Sequence, residues 1–144
     1  METTSPLFEK DFVGNLIPQK FPFVMIDKMF SYTETEIVAG LQVSNDNIFV
    51  HDGVFTESGL VEHMAQSVAL HTGYQFFLKK EPAPTGYIGS IKQIEIQKLP
   101  KLNDEIQTTV TILHEFGGIT LVDLLTKLHD EVIATGQMKT ILAQ

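Results

Sequence analysis

The chain has 144 residues, of which 43% are hydrophobic and 19% charged, the composition of a folded protein rather than a disordered one. Its net charge is −8 and its ten basic residues are all lysine, which argues against nucleic-acid binding, because contacts to phosphates and guanine favour arginine. The lack of cysteine excludes disulfides and thiolate metal sites and is typical of a reducing, cytoplasmic environment.

The first predicted elements are a short helix and a hairpin. Ser5 and Pro6 are typical of a helix N-terminus, and apolar residues recur from there at helical spacing until Pro18. Apolar stretches at residues 21–29 and 37–43 then predict two strands that are joined by a turn.

A polar loop over residues 45–54 leads into a long helix predicted for residues 56–78, with Thr56 as its N-cap. A helix of about 22 residues spans roughly 33 Å, which is the width of a small domain. Between Glu62 and Lys79 the sequence carries no formal charge apart from histidine, so this helix is predicted to be buried nearly all round. The stretch is nevertheless too polar to span a membrane.

Everything after Thr85 is predicted as β structure. Gly117–Gly118 is typical of a hairpin turn, and the apolar stretch 119–128 that follows predicts a central strand. The last strand is predicted after a turn at residues 130–131, with one face formed by Val132, Ala134, Met138 and Leu142. A buried helix followed by a meander predicts one α+β domain over residues 1–144, in which an antiparallel sheet wraps around the central helix.

Glu62 is the first candidate for a catalytic residue. Burying an unpaired carboxylate costs several kcal/mol unless the group takes up a proton, and a carboxyl that holds a proton near pH 7 can act as a general acid. Gln66 lies one helical turn further on and is placed to orient it. The alternative is that Glu62 lies on a solvent-facing strip or interacts with the helix dipole.

His51 is the second candidate, because it lies in the polar loop before the helix and beside Asp52, which could orient its ring. Histidine is the usual general base near neutral pH, and the alternative is an ordinary histidine on a surface loop. The spacing of the histidines offers no paired metal ligands and the sequence contains no phosphate-binding loop, so neither a metal nor a cofactor is expected.

Three segments, in a fixed order, match the motifs of one known family. Residues 17–27 (IPQKFPFVMID), 61–66 (VEHMAQ) and 86–104 resemble the entry segment, the central-helix motif and the following strand with its turn. The family is that of the hot-dog fold 3-hydroxyacyl-[acyl carrier protein] dehydratases, and the resemblance runs from about Leu16 to the C-terminus. The chain is most similar to the divergent dehydratase-like proteins of aryl-polyene and flexirubin pigment clusters.

The resemblance implies dehydration of a 3-hydroxyacyl thioester, carried on acyl carrier protein, in fatty-acid or polyene-type synthesis by a homodimer or a larger assembly of dimers. In the family, a histidine from the loop before the helix removes the α-proton, and the helix carboxylate of the other protomer protonates the departing hydroxyl. Glu62 matches that carboxylate, and His51 is the available histidine. A backbone N–H near the helix start polarises the thioester carbonyl, which implies substrate contacts for Ser58 and Gly59 beside Gln66.

Departures from the family pattern leave other functions open. The loop reads FVHDG at residues 49–53 where the family has Gly-His-Phe-Pro, and the interval from His51 to Glu62 is shorter. One alternative is a hot-dog thioesterase in which Glu62 activates water, and another is a non-catalytic partner subunit or acyl-binding module. Because carrier proteins are acidic, a basic docking patch is also predicted, formed by Lys79, Lys80, Lys92, Lys98 and Lys101.

Overall fold

A computed structural model describes residues 5–143, so residues 1–4 and 144 of the predicted domain lie outside the described part. The elements follow in the order α1 (Lys10–Gly14), β1 (Lys28–Tyr32), β2 (Glu36–Gln42), β3 (Val50–His51), β4 (Val54–Phe55), α2 (Glu57–Leu78), β5 (Gly86–Ile96), β6 (Glu105–Phe116), β7 (Ile119–Leu128) and β8 (Glu131–Leu142). Six strands form one antiparallel sheet in the order β1-β2-β6-β7-β8-β5, while β3 and β4 form a small separate hairpin.

Helix α2 packs on one face of this sheet, mainly against β2 and β6, and it confirms the long helix predicted from the sequence. Its N-cap is Thr56, whose Oγ1 accepts a hydrogen bond from the Gly59 N–H at 3.5 Å. Ten of its 22 residues are buried, and the exposed ones lie at its two ends, Glu57 and Ser58 in the first turn and Phe77 and Leu78 in the last. A Cβ built on Gly73 would overlap the carbonyl oxygen of Leu16, so the chain after α1 lies directly on the helix.

The prediction of a helix from Ser5 and Pro6 to Pro18 was wrong in extent. The helical segment covers only Lys10–Gly14, because the N–H groups of Leu7 and Phe8 both donate to the Met29 carbonyl in β1. The residues just before α1 are therefore hydrogen-bonded to strand β1 and do not lengthen the helix.

The first predicted strand, at residues 21–29, also begins later than expected, at Lys28. The reason lies in α2, because the Gln66 side chain donates a hydrogen bond to the backbone carbonyl of Phe23 and accepts one from the backbone N–H of Met25. These backbone groups are bonded to a side chain instead of a neighbouring strand, so the segment runs across the helix without joining the sheet.

The last strand differs from the prediction in its facing residues. Val132 is 39% exposed whereas Ile133 and Ala134 are fully buried, because the β7–β8 register shifts where Thr126 opposes Ala134 and Lys127 opposes Val132. This bulge inserts one extra residue, Ile133, into β8. The in-and-out alternation of side chains is therefore reversed for the residues before the bulge. The preceding turn also lies one residue earlier than predicted, since His129 has a positive φ of 56°.

Strand β5 forms one edge of the sheet and carries exposed apolar side chains, including Tyr87, Ile88 and Ile91. An apolar edge strand is a natural site for pairing with another chain. Within residues 5–143, no helix combines the length and the apolar character needed to cross a lipid bilayer.

Candidate active site

Glu62 lines a cavity of about 280 Å³ between α2, the segment after α1, and the sheet edge formed by β5 and β8. The remaining lining is mostly small or apolar and consists of Leu16, Pro18, Gln19, Ala65, Val68, Ala69, Thr72, Gly73, Ala83, Pro84, Gly86, Tyr87, Ile88, Thr140 and Leu142. Larger depressions of about 940 and 710 Å³ lie on the outer face of the sheet and beside α1. Of these three, the smaller cavity is the candidate site, because Glu62 lines it and, apart from Glu62, no formally charged side chain stands in its wall.

The Glu62 carboxylate is half-buried and is held by Gln66, as the spacing of the two residues on the helix predicts. Its Oε2 accepts a hydrogen bond from Gln66 Nε2 at 2.8 Å. Gln66 is itself fixed, because Nε2 also donates to the Phe23 carbonyl at 2.8 Å and Oε1 accepts from the Met25 N–H at 2.6 Å. With all these contacts made, the amide has one orientation, and it presents a donor to Glu62.

A second buried polar group, His63, lies next to Glu62 and was not singled out from the sequence. Its side chain is completely buried, with Nδ1 2.8 Å from the Met25 carbonyl oxygen and Nε2 2.8 Å from Thr108 Oγ1. Burial lowers the pKa of His63 from 6.5 to about 4, although the hydrogen bond to Met25 opposes that change. A histidine on a nearly uncharged helix was the available signal, since buried polar groups require partners.

His51 occupies a different part of the surface. It ends β3, pairs with Val54 across the small hairpin, and is exposed beside a turn in which Asp52 and Gly53 have φ values of 53° and 77°. It does not line the cavity that contains Glu62. Within one protomer, the two residues predicted to carry out acid and base catalysis are therefore not brought together.

The predicted carbonyl-binding residues also lie outside this cavity. Ser58 is exposed in the first turn of α2. Gly59 is buried so tightly against Phe49 and Phe55 that a Cβ would come within 2.6 Å of both side chains. Its N–H points towards the N-cap residue Thr56. Of the predicted site residues, only Glu62 and Gln66 are therefore in contact within one protomer, while His51, Ser58 and Gly59 lie outside the cavity.

The lysines predicted to form one docking patch are spread over the molecule. Lys79 and Lys80 follow the C-terminal end of α2, whereas Lys101 bridges to Val54 just before its N-terminal end. The helix between them spans roughly 33 Å. Lys98 is paired with Glu131 at 3.2 Å. Lys79 and Lys80 therefore lie far from Lys101, and one chain does not bring the predicted lysines into a single patch.

Residues 12–144 match a protein-family model described as "ApeP-like: ApeP dehydratase". The chain is also similar to the 3-hydroxyacyl-[acyl-carrier-protein] dehydratase FabZ of Vibrio cholerae, with 27% identity over 137 residues that cover 88% of this chain and 86% of the relative. FabZ of Yersinia enterocolitica is 21% identical over 144 residues, covering 96% of this chain and 85% of the relative.

Solved structures with the same fold include the dehydratase heterocomplex ApeI:P from Xenorhabdus doucetiae, with a TM-score of 0.86, 17% identity, and coverage of 92% of this chain and 91% of that one. A hypothetical thioesterase with coenzyme A from Streptococcus pneumoniae has a TM-score of 0.63 and 13% identity, and the match covers 80% of this chain and 84% of that one. These similarities, together with the sheet and its long helix, confirm the predicted hot-dog fold.

Proposed function

The chain belongs to the ApeP-like dehydratase family, and from this premise we propose that it removes water from a 3-hydroxyacyl thioester carried on acyl carrier protein, with Glu62 as the general acid. The observation that carries the residue assignment is the position of Glu62 in the wall of an apolar cavity, where Gln66 holds its carboxylate. The role of each residue, the carrier and a cytoplasmic location are the proposed parts of this function.

The reaction requires one group that accepts a proton and one that donates a proton. A general base removes the proton from the carbon next to the thioester carbonyl, and the C–O bond at the third carbon breaks as the double bond forms. Glu62, when protonated, gives its proton to the departing hydroxyl, which leaves as water. The small and apolar residues along α2, from Ala65 to Gly73, would contact the acyl chain.

We propose His51 as the general base, acting in the cavity of a second subunit. It is exposed at the end of a short hairpin, so it is accessible to a neighbouring chain. The cavity of Glu62 reaches the sheet edge at β5, where Tyr87 and Ile88 both line it and are exposed to solvent. A subunit that pairs with β5 would cover these side chains and complete the site, which supports a homodimer or a larger assembly of dimers.

A second candidate role is that of a partner subunit in a mixed assembly. The separation of His51 from the Glu62 cavity within one chain calls for a second subunit, and a different protein would meet this need as well as a second copy. The similar structure from Xenorhabdus doucetiae is described as a dehydratase heterocomplex, so a chain of the same fold occurs there together with a different subunit. In that case, the base would come from the other subunit and not from His51.

The test is incubation of the protein with a 3-hydroxyacyl thioester on acyl carrier protein, followed by mass spectrometry. Loss of water supports the proposal, whereas release of the free acid would indicate a thioesterase. Glu62→Gln is expected to lower the rate by about 10²–10⁴-fold with the fold intact, because an amide cannot deliver the proton. Glu57→Gln is the matched control, since Glu57 is an exposed carboxylate on the same helix.

The variant His51→Ala distinguishes a dehydratase that uses its own His51 as the base from a partner subunit that does not. If the variant loses elimination as Glu62→Gln does, His51 is the base. Full activity of His51→Ala alongside an inactive Glu62→Gln would mean that another group removes the proton. A wild-type chain that eliminates water from no acyl length on its own, but does so when mixed with a second hot-dog subunit, would establish the partner role.

A further inference from the structure

His63 has two well-defined hydrogen bonds deep in the core, and the elimination chemistry described above gives it no part. The Met25 carbonyl can only accept, so Nδ1 carries the hydrogen and donates to it over 2.8 Å. In the neutral ring, Nε2 then has a lone pair, and the hydroxyl of Thr108 donates to it over 2.8 Å. The low pKa of His63 is consistent with this neutral form.

The direction of the remaining hydrogen bonds follows from the first two. Because the Thr108 hydroxyl donates to the ring, its oxygen must accept the hydrogen of Thr126 across the 2.6 Å contact between them. Thr108 and Thr126 face each other on β6 and β7, in the interior of the sheet. The imidazole is thus fixed in one tautomer and one orientation by the Met25 carbonyl on one side and the Thr108–Thr126 pair on the other.

His63 and Gln66 hold the same backbone residue from two sides. His63 binds the Met25 carbonyl, and Gln66 Oε1 accepts the Met25 N–H. The Gln66 amide in turn donates to Glu62 Oε2. A continuous set of hydrogen bonds therefore runs from the sheet through His63 and Met25 to Gln66 and the carboxylate.

The last bond in this set determines where Glu62 can carry a proton. Since Gln66 donates to Oε2, this position favours the carbonyl-type oxygen of the acid, which is the stronger acceptor, and so favours the acidic proton on Oε1. Among residues 5–143, no donor reaches Oε1. A proton on Oε1 is therefore available for transfer to a leaving group in the cavity.

We propose that His63 is a positioning residue for the elimination, because it anchors Met25 and through it the Gln66 amide, which keeps Oε2 of Glu62 as acceptor and Oε1 as proton donor. This inference rests on the proposed role of Glu62 as the general acid. His63 does not touch the substrate in this scheme, and its effect passes entirely through Met25 and Gln66.

The same helix provides a matched control. His71 is also buried, and its Nε2 is 2.9 Å from the Thr33 carbonyl oxygen while its ring stacks on Tyr32. These contacts fix the β1–β2 end of the molecule and have no connection with Gln66. A variant of His71 therefore loses comparable packing and a comparable hydrogen bond without releasing the Glu62 carboxylate.

The test compares His63→Leu, His63→Asn and His71→Leu in the complete protein, at a temperature where each is folded. In His63→Leu the bond to Met25 is lost, and kcat is expected to fall about 10–100-fold with KM within about twofold, because a misplacement near 1 Å costs about this much. In His63→Asn the side-chain amide nitrogen replaces Nδ1 as the donor to Met25, so most of kcat should return. His71→Leu should keep the wild-type kcat.

A second readout does not depend on activity. The side-chain amide protons of Gln66, assigned by their absence in Gln66→Ala, should exchange slowly in the wild type and in His63→Asn but rapidly in His63→Leu. Unchanged Gln66 exchange in His63→Leu would overturn the proposal, as would an equal loss of kcat in His71→Leu. If the wild type itself eliminates no water, the proposed function fails, and the Gln66 signals alone decide whether His63 positions this amide.

Discussion

The buried His63 predicts a specific loss of stability in mild acid. In the folded protein its pKa is lowered from 6.5 to about 4 by burial, and its neighbours are a carbonyl and a hydroxyl. Between pH 6.5 and pH 4 the unfolded chain therefore binds a proton at this site that the folded chain does not bind. Because stability rises with pH wherever the unfolded state binds more protons, this contribution is complete above pH 6.5 and is lost as the pH falls towards 4.

The magnitude follows from the gap between the two pKa values. One pKa unit corresponds to about 1.4 kcal/mol, so a decrease from 6.5 to about 4 amounts to about 3 kcal/mol of unfolding free energy. Below pH 4 both states are protonated, and the difference should stay constant. A folded domain is typically stable by only about 5–15 kcal/mol, so a loss of about 3 kcal/mol is a substantial part of the total stability.

The measurement is urea unfolding of the wild type and His63→Asn from pH 4 to pH 7.5, at one protein concentration because subunit association would also stabilise the fold. Asparagine does not titrate, so other groups that change protonation in this range, such as His71, cancel in the comparison. The stability of the wild type relative to His63→Asn should fall by about 3 kcal/mol between pH 7 and pH 4. A difference that is flat over this range would show that His63 is not a buried neutral imidazole.

Three other outcomes are expected. Gly73→Ala should destabilise the protein by about 1–3 kcal/mol in urea unfolding, because its Cβ would overlap the Leu16 carbonyl, whereas Gly14→Ala, with open space around it, should cost much less. Thr108→Val should cost about 1–3 kcal/mol by leaving His63 Nε2 without its donor, while Thr109→Val, on the opposite face of β6, should change little. Ile91→Lys on the β5 edge should shift the sedimentation profile towards a 16.1 kDa species, and an unchanged assembly would place the interface elsewhere.

Most of the secondary structure was predictable because it depends on neighbours in sequence. The N-cap at Thr56, the extent of α2 and the Gly117–Gly118 turn each follow from patterns within a few residues, and the structure confirms all three. The errors occurred where a distant partner decided the conformation. Leu7 and Phe8 bind the Met29 carbonyl instead of starting a helix, and a bulge opposite Thr126 turns Val132 outwards.

The same distinction applies to the candidate site. Glu62 and Gln66 are four residues apart on one helix, so the helical period alone places their side chains together, and this pair was predictable from local spacing. His63 binds Met25 and Thr108, which are 38 and 45 residues away, and Gln66 binds Met25 from 41 residues away. Local patterns do not predict these contacts, because a hydrogen bond between distant residues forms only when the packing of sheet and helix brings donor and acceptor to within about 3 Å.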